Sequence, residues 1–220
     1  LTRRGKLNGA FVAFISWSYD FGGRRKHMIR MIRWAVCMSA VALMATASHA
    51  ALISFEAFMD GPSESPPNAS PGTGHATAVY DDVAHTLTVS ATFSDLIGTT
   101  TVAHIHAPTA VPFGSTPVGV AVTPGTLPGF PVGVTGAAYG PVVLDLTLAG
   151  TYTAGFLTAG GGTPAGAELL LITSLIENKA YFNIHTTFAP GGEIRGFFVP
   201  EPGTALALLV GAPLLLRRRG

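Results

Sequence analysis

Thr86-Leu87-Thr88-Val89-Ser90-Ala91-Thr92-Phe93 decides the fold class. Leu87, Val89, Ala91 and Phe93 take every second position, and only hydroxyl-bearing residues stand between them. That is the period of a pleated strand, and it predicts one face in a core and the other toward water. A second run at 76–80 precedes it, and Asp81-Asp82-Val83-Ala84-His85 between the two predicts a hairpin turn. Working outward, Ile53, Phe55 and Ala57 alternate with Ser54 and Glu56 in the same way. Further strands are predicted at 101–106, 118–122, 142–148, 180–186 and 193–199. Residues 107–140 hold seven glycines and six prolines, which predicts long structured loops around one or two short strands. Pro164-Ala165-Gly166-Ala167-Glu168 and the apolar 169–175 suit a buried strand or a short helix. The early proline favours the helix, and Gly160-Gly161-Gly162 breaks the chain before it. The sum is an all-β fold of roughly seven to nine strands, an immunoglobulin-like or Greek-key β-sandwich or barrel.

Charge is distributed unevenly. Of 13 Lys and Arg, eight precede residue 51 and three follow residue 216, which leaves Lys179 and Arg195 between. Ten of the 12 acids fall within 51–200, so the body carries a net charge of −8. An acidic surface repels phosphate backbones, and nucleic acid is excluded as a partner. Cys37 is the sole cysteine and lies before residue 51, so no disulfide is available to the body. Its 150 residues suffice for one hydrophobic core.

The two ends are addresses. From Met28, Arg30 and Arg33 form a basic start, 34–47 an apolar stretch, and Ser48-His49-Ala50 a small-residue site. This is the pattern of a signal peptide cut by signal peptidase after Ala50, with an uncleaved anchor as the alternative. Residues 1–27 mix basic and aromatic residues without a period and are taken as an over-extended start. At the other end stand Val199-Pro200-Glu201-Pro202, an apolar run over 204–216 expected to form a hydrophobic transmembrane helix, and Arg217-Arg218-Arg219. Arginines cannot enter hydrocarbon cheaply, so they would remain cytoplasmic while the preceding chain faces the other side. The tail resembles the PEP-CTERM sorting signal of Gram-negative bacteria. The alternative is an ordinary C-terminal anchor. The resemblance implies export across the inner membrane and processing at Pro200, Glu201 and Pro202 by an exosortase-type sorting peptidase. It also implies a setting in the cell envelope or in an exopolysaccharide-rich biofilm matrix. The organisation is then 1–27, a signal peptide at 28–50, a β domain at 51–198 and a sorting signal at 199–220.

Three motifs stand in order within the body. Glu64-Ser65-Pro66-Pro67-Asn68 leads to Gly72-Thr73-Gly74. Ala103-His104-Ile105-His106-Ala107 follows. The third is Ala180-Tyr181-Phe182-Asn183-Ile184-His185-Thr186, continuing through Pro190-Gly191-Gly192-Glu193-Ile194-Arg195-Gly196. Together they resemble the CHRD domain over about residues 52–198. The resemblance implies an extracellular immunoglobulin-like or Greek-key β module without assigned catalysis. Asn183, Gly191, Gly192, Glu193, Arg195 and Gly196 are its structural motif. Where the family often has a small Gly-rich turn after its HIH, this chain has Ala107-Pro108-Thr109 and a longer insertion.

On a strand, His104 and His106 project to one face, roughly 6.5–7 Å apart along the backbone, while Ala103 and Ile105 face the core. Two such imidazoles can share a Zn or Cu ion if a third ligand arrives from elsewhere, and His185 is the candidate. The competing reading is a cluster that hydrogen-bonds backbone carbonyls and holds a loop, with no cofactor. The HxH pair with a distant histidine is also similar to copper-zinc superoxide dismutases, a likeness of architecture alone. The bridging histidine, acidic zinc ligand and disulfide of that enzyme have no counterpart here. His75 and His85 are read as loop or strand-end residues without a role. Arg195, if buried, must be paired, and Glu193 or Asp145 is the expected partner. Gly191-Gly192 is read as the tight turn feeding the last strand. No G-x-S-x-G elbow and no GxxxxGK[ST] loop occurs, so no catalytic residue is named.

Overall fold

In a computed structural model of the chain, residues 52–203 are described. The signal-peptide reading with its cleavage at Ala50, the apolar tail and Arg217-Arg218-Arg219 lie outside them. Among the described residues no helix is long and apolar enough to cross a membrane.

The fold is all-β. Nine strands form one antiparallel sheet: β1 (Leu52–Asp60), β2 (Thr73–Asp81), β3 (Thr86–Ser94), β4 (Thr100–His106), β5 (Val120–Val122), β6 (Ala137–Asp145), β7 (Tyr181–Thr186), β8 (Ile194–Phe197) and β9 (Val199–Pro200). Their order is β5-β4-β7-β8-β1-β2-β3-β6, with β9 also paired to β1. Of the sandwich and the barrel, the chain takes the barrel side, a single curled sheet that forms a half-barrel. The alternation read at 86–93 places Leu87, Val89, Ala91 and Phe93 in the core. β2 aligns with β3 along its whole length, from Thr73 opposite Ser94 to Asp81 opposite Thr86. The Asp81 carboxylate closes the hairpin by accepting from the backbone N–H of Val83 and Ala84 at 2.9 and 2.8 Å.

Phe55, Ala57 and Met59 of β1, Ala76 and Ala78 of β2, Ala103 and Ile105 of β4, and Phe182 and Ile184 of β7 join the same core. A helix at Pro164–Ile176 packs into it through Ala167, Leu171 and Leu175. Pro164 sits in the first turn, as the sequence predicts, and the structure adds a cap, the Thr163 hydroxyl accepting from Gly166 N–H. A short helix at Ala154–Ala159, capped by Thr153, precedes it and was not legible. The two helices meet so closely that a Cβ on Gly166 would stand 1.9 Å from the Gly160 carbonyl oxygen.

Two strand boundaries depart from the alternation. β6 covers Ala137–Asp145 rather than 142–148, because the Asp145 carboxylate turns the chain by accepting from Thr147 N–H and hydroxyl. The stretch 193–199 is divided, since Phe198 bonds Ala180 and is buried while Val199 and Pro200 pair with β1.

His85 has a role, contrary to expectation. Its Nδ1 lies 2.8 Å from a carboxylate oxygen of Glu168, which also accepts from the Tyr80 hydroxyl at 2.7 Å. The hairpin is thereby clamped to the long helix. The hydrogen bond to Glu168, and then its charge, raise the His85 pKa above 6.5. A raised folded-state value means a contribution present below the unfolded pKa and lost as pH rises through the folded one. The wild-type urea midpoint is therefore expected to fall as pH rises above 6.5, and His85→Gln to flatten that part of the profile. Parallel profiles for the two chains would refute the clamp.

Candidate metal centre

Face alternation on β4 and β7 builds the site. Ala103 and Ile105 are fully buried in the core, so His104 and His106 turn to the opposite face. β7 pairs with β4 in antiparallel register, setting Asn183 opposite His104 and Tyr181 opposite His106. His185, two residues beyond Asn183, projects to the same side. The three imidazoles converge: one ring nitrogen from each of His104, His106 and His185 lies within 4.8 Å of the others. His104 Nδ1 and His185 Nε2 are 3.1 Å apart. Among the three imidazoles the closest pair is His104 and His185, edge-on with centroids 4.9 Å apart and planes at 69°.

The far side of each ring is tied to a backbone carbonyl from a different loop. His104 Nε2 meets Gly125 O at 2.8 Å, His106 Nδ1 meets Val118 O at 2.7 Å, and His185 Nδ1 meets Pro190 O at 2.9 Å. A carbonyl only accepts, so each of these nitrogens carries the hydrogen. A neutral imidazole has one N–H, and the three nitrogens turned toward one another are then bare lone pairs. Facing acceptors are unfavourable unless a cation lies among them. His106 Nε2 is buried and has no hydrogen-bond partner among the described residues. Burial pushes the His106 pKa down to about 4 and also lowers that of His185. Three rings aimed at one point, each held by a carbonyl behind it, can ligate a transition metal.

A polar layer supports this face. Glu193, fully buried, accepts from the Ser70 hydroxyl, the Thr186 hydroxyl and Ile97 N–H at 2.6 Å each, and from Gly98 N–H at 3.1 Å. Burial pushes its pKa up, yet these four donors together hold it below the usual carboxylate range. Its own carbonyl accepts from the Asn68 amide, so it binds the 61–72 loop at two points. Gly192, at φ +131°, carries the chain into this position, and a Cβ there would stand 2.5 Å from Glu64 and Asn183 oxygens. Gly191 is at no positive φ. Gly196 lies against β1, where a Cβ would come within 2.2 Å of the Phe58 carbonyl oxygen.

Arg195 does not pair with Glu193 or Asp145. Glu193 is already satisfied by uncharged donors, and Asp145 sits on β6 at the far edge of the sheet. Arg195 donates to the Ser63 and Ser115 carbonyls, and its Nε lies 3.8 Å from Glu64. Burial pushes Glu64 up to about 7 against the pull of the Arg195 charge. The guanidinium covers the Tyr181 ring at 5.0 Å, and Tyr181 in turn stacks on His106 at 4.9 Å, nearly parallel. Strand alternation puts Tyr181 on the face of His185, as observed, whereas nothing in the sequence placed Glu64 in this layer. Unbroken burial over most of Tyr181–Thr186 is the signature of a strand covered on both faces, which alternation alone does not reveal.

The fold and this cluster define a class: a curled β-sheet with an apolar core on one face and a polar, histidine-bearing layer on the other. A family profile, the CHRD domain, matches residues 55–198. The chain belongs to the CHRD domain family, and the match takes in the sheet from β1 to β8 together with all three histidines. No curated protein and no solved structure matched.

Replacing Glu193 with Gln turns an NH2 group toward donors that need an acceptor. A loss of about 2–3 kcal/mol is expected in urea denaturation at neutral pH. A depressed carboxylate contributes stability above its unfolded pKa and loses it as pH falls through the folded value. Wild type should therefore weaken on acidification below 4.5, and the variant should lack that component.

Proposed function

We propose that this chain is an exported, non-catalytic CHRD domain of the cell envelope or matrix that holds one Zn or Cu ion on His104, His106 and His185. One observation carries the metal reading: three rings, anchored from behind by Gly125, Val118 and Pro190, turn their remaining nitrogens toward one point. A purely structural cluster would have spent His106 Nε2 on a donor, and that nitrogen is buried without a hydrogen-bond partner among the described residues. Elemental analysis of the full chain purified from the periplasmic face is expected to find one Zn or Cu per chain, and His106→Ala to abolish it. Metal-free wild-type protein that stays metal-free on dialysis against either ion would sink the reading.

Export rests on the sequence of the two ends and on the acidic, cysteine-free body. The last sheet hydrogen bond runs from Glu201 N–H to Ser54 O at 2.9 Å, and Pro202 is exposed beyond it. A sorting peptidase would meet the Pro-Glu-Pro motif at the margin of the folded domain. Replacing Glu201 with Ala, or deleting 204–219, is expected to change the mass or destination of the processed protein. Unchanged mass and location in both variants would overturn the sorting reading while leaving the metal reading intact.

A further inference from the structure

The geometry points to Cu(I), in three-nitrogen coordination, as the ion this centre holds in preference to a divalent one; the inference rests on the metal reading above. The ligand set contributes no charge. All three rings are neutral when they ligate, and behind each stands a neutral backbone carbonyl of Gly125, Val118 or Pro190. Among the described residues no carboxylate bonds to any of the three rings, and the convergent group contains histidines alone. Two carboxyls share the polar layer, Glu64 beside Arg195 and Glu193 on four uncharged donors, and neither bonds to a ring. That guanidinium, stacked on the far side of the contact chain through Tyr181 to His106, adds positive charge to the surroundings.

An ion bound here therefore keeps its whole charge. The cost of holding charge away from water rises as its square, so a divalent ion costs about four times a monovalent one of the same size. Divalent centres meet that cost with carboxylate, thiolate or a bound hydroxide. Here the chain offers neither carboxylate nor thiolate, which leaves a divalent ion dependent on hydroxide or another anion from solvent, and His106 Nε2 is shielded from that solvent. Cu(I) needs no such compensation, accepts imidazole nitrogen, and is complete with three ligands. The spacing suits it. Two nitrogens on one ion with bonds of about 2.0 Å stand about 3.5 Å apart in a trigonal plane, and His104 Nδ1 and His185 Nε2 are at 3.1 Å. The ion pushes that pair slightly apart and draws His106 Nε2 in.

The test is competition on the full chain in detergent, in a Cys37→Ser background so that no thiol takes copper. Cu(I) is supplied anaerobically as its acetonitrile complex against bicinchoninate, and Zn(II) against a zinc-chelating dye. One Cu(I) per chain is expected, held tighter than Zn(II) by roughly 100-fold, with three nitrogen scatterers in X-ray absorption. His106→Ala and His185→Gln should each lose Cu(I) by at least roughly tenfold, with the far-ultraviolet circular dichroism of the folded sheet retained. Added azide should raise Zn(II) affinity and leave Cu(I) unaffected. Zn(II) binding as tightly as Cu(I) without an added anion would overturn this inference and leave the metal reading standing. Binding of neither ion would remove both.

Discussion

Glu193 is a carboxylate with no access to water and no cation against it, and the polar face of the domain depends on it. A charge so placed survives only if its oxygens are filled by donors. Ser70, Ile97, Gly98 and Thr186 fill them, from the 61–72 loop, the turn before β4 and the end of β7. One side chain therefore gathers three segments distant in sequence. The turn before β4 and the end of β7 also bond each other, Thr187 N–H to Thr99 O at 2.9 Å, so the carboxylate's distinct part is to tie the 61–72 loop to both.

What those segments cover is the second structural layer. The 61–72 loop brings Glu64 and the Ser63 carbonyl to Arg195, and the 107–119 loop brings the Ser115 carbonyl to it and the Val118 carbonyl to His106. Arg195, Tyr181 and His106 then stack in sequence. The half-barrel is thus asymmetric: the β2–β3 hairpin turns hydroxyls outward, whereas β7 and β8 are largely buried on both faces. The outer burial is polar, and it orients the histidines. Rings held from behind by carbonyls keep one orientation, so their other nitrogens stay turned toward one another.

Sequence and structure agree where the argument is local. Leu87 to Phe93 alternates and is buried in alternation; His104 and His106 share a face because Ala103 and Ile105 take the other; Pro164 stands in the first turn of a helix. They part where a partner had to be chosen. Arg195 was matched with acids near it in strand spacing or remaining in the body, but the acid that meets it, Glu64, lies more than a hundred residues earlier in a loop. His85 passed as a turn residue because nothing near it in sequence shows that Glu168 waits on a helix packed across the hairpin.

Periodicity, turn chemistry and charge count are properties of neighbouring residues, so the chain alone determined an acidic, disulfide-free β body and which histidines point away from its core. Convergence is a property of distance in space. Only the curled sheet, which sets β4 beside β7 across some eighty residues of chain, decided that His185 reaches His104, that carbonyls from three loops take the outer nitrogens, and that three lone pairs are left facing one another. No residue type or spacing encodes that last fact, because hydrogen bonds consumed elsewhere in the fold create it.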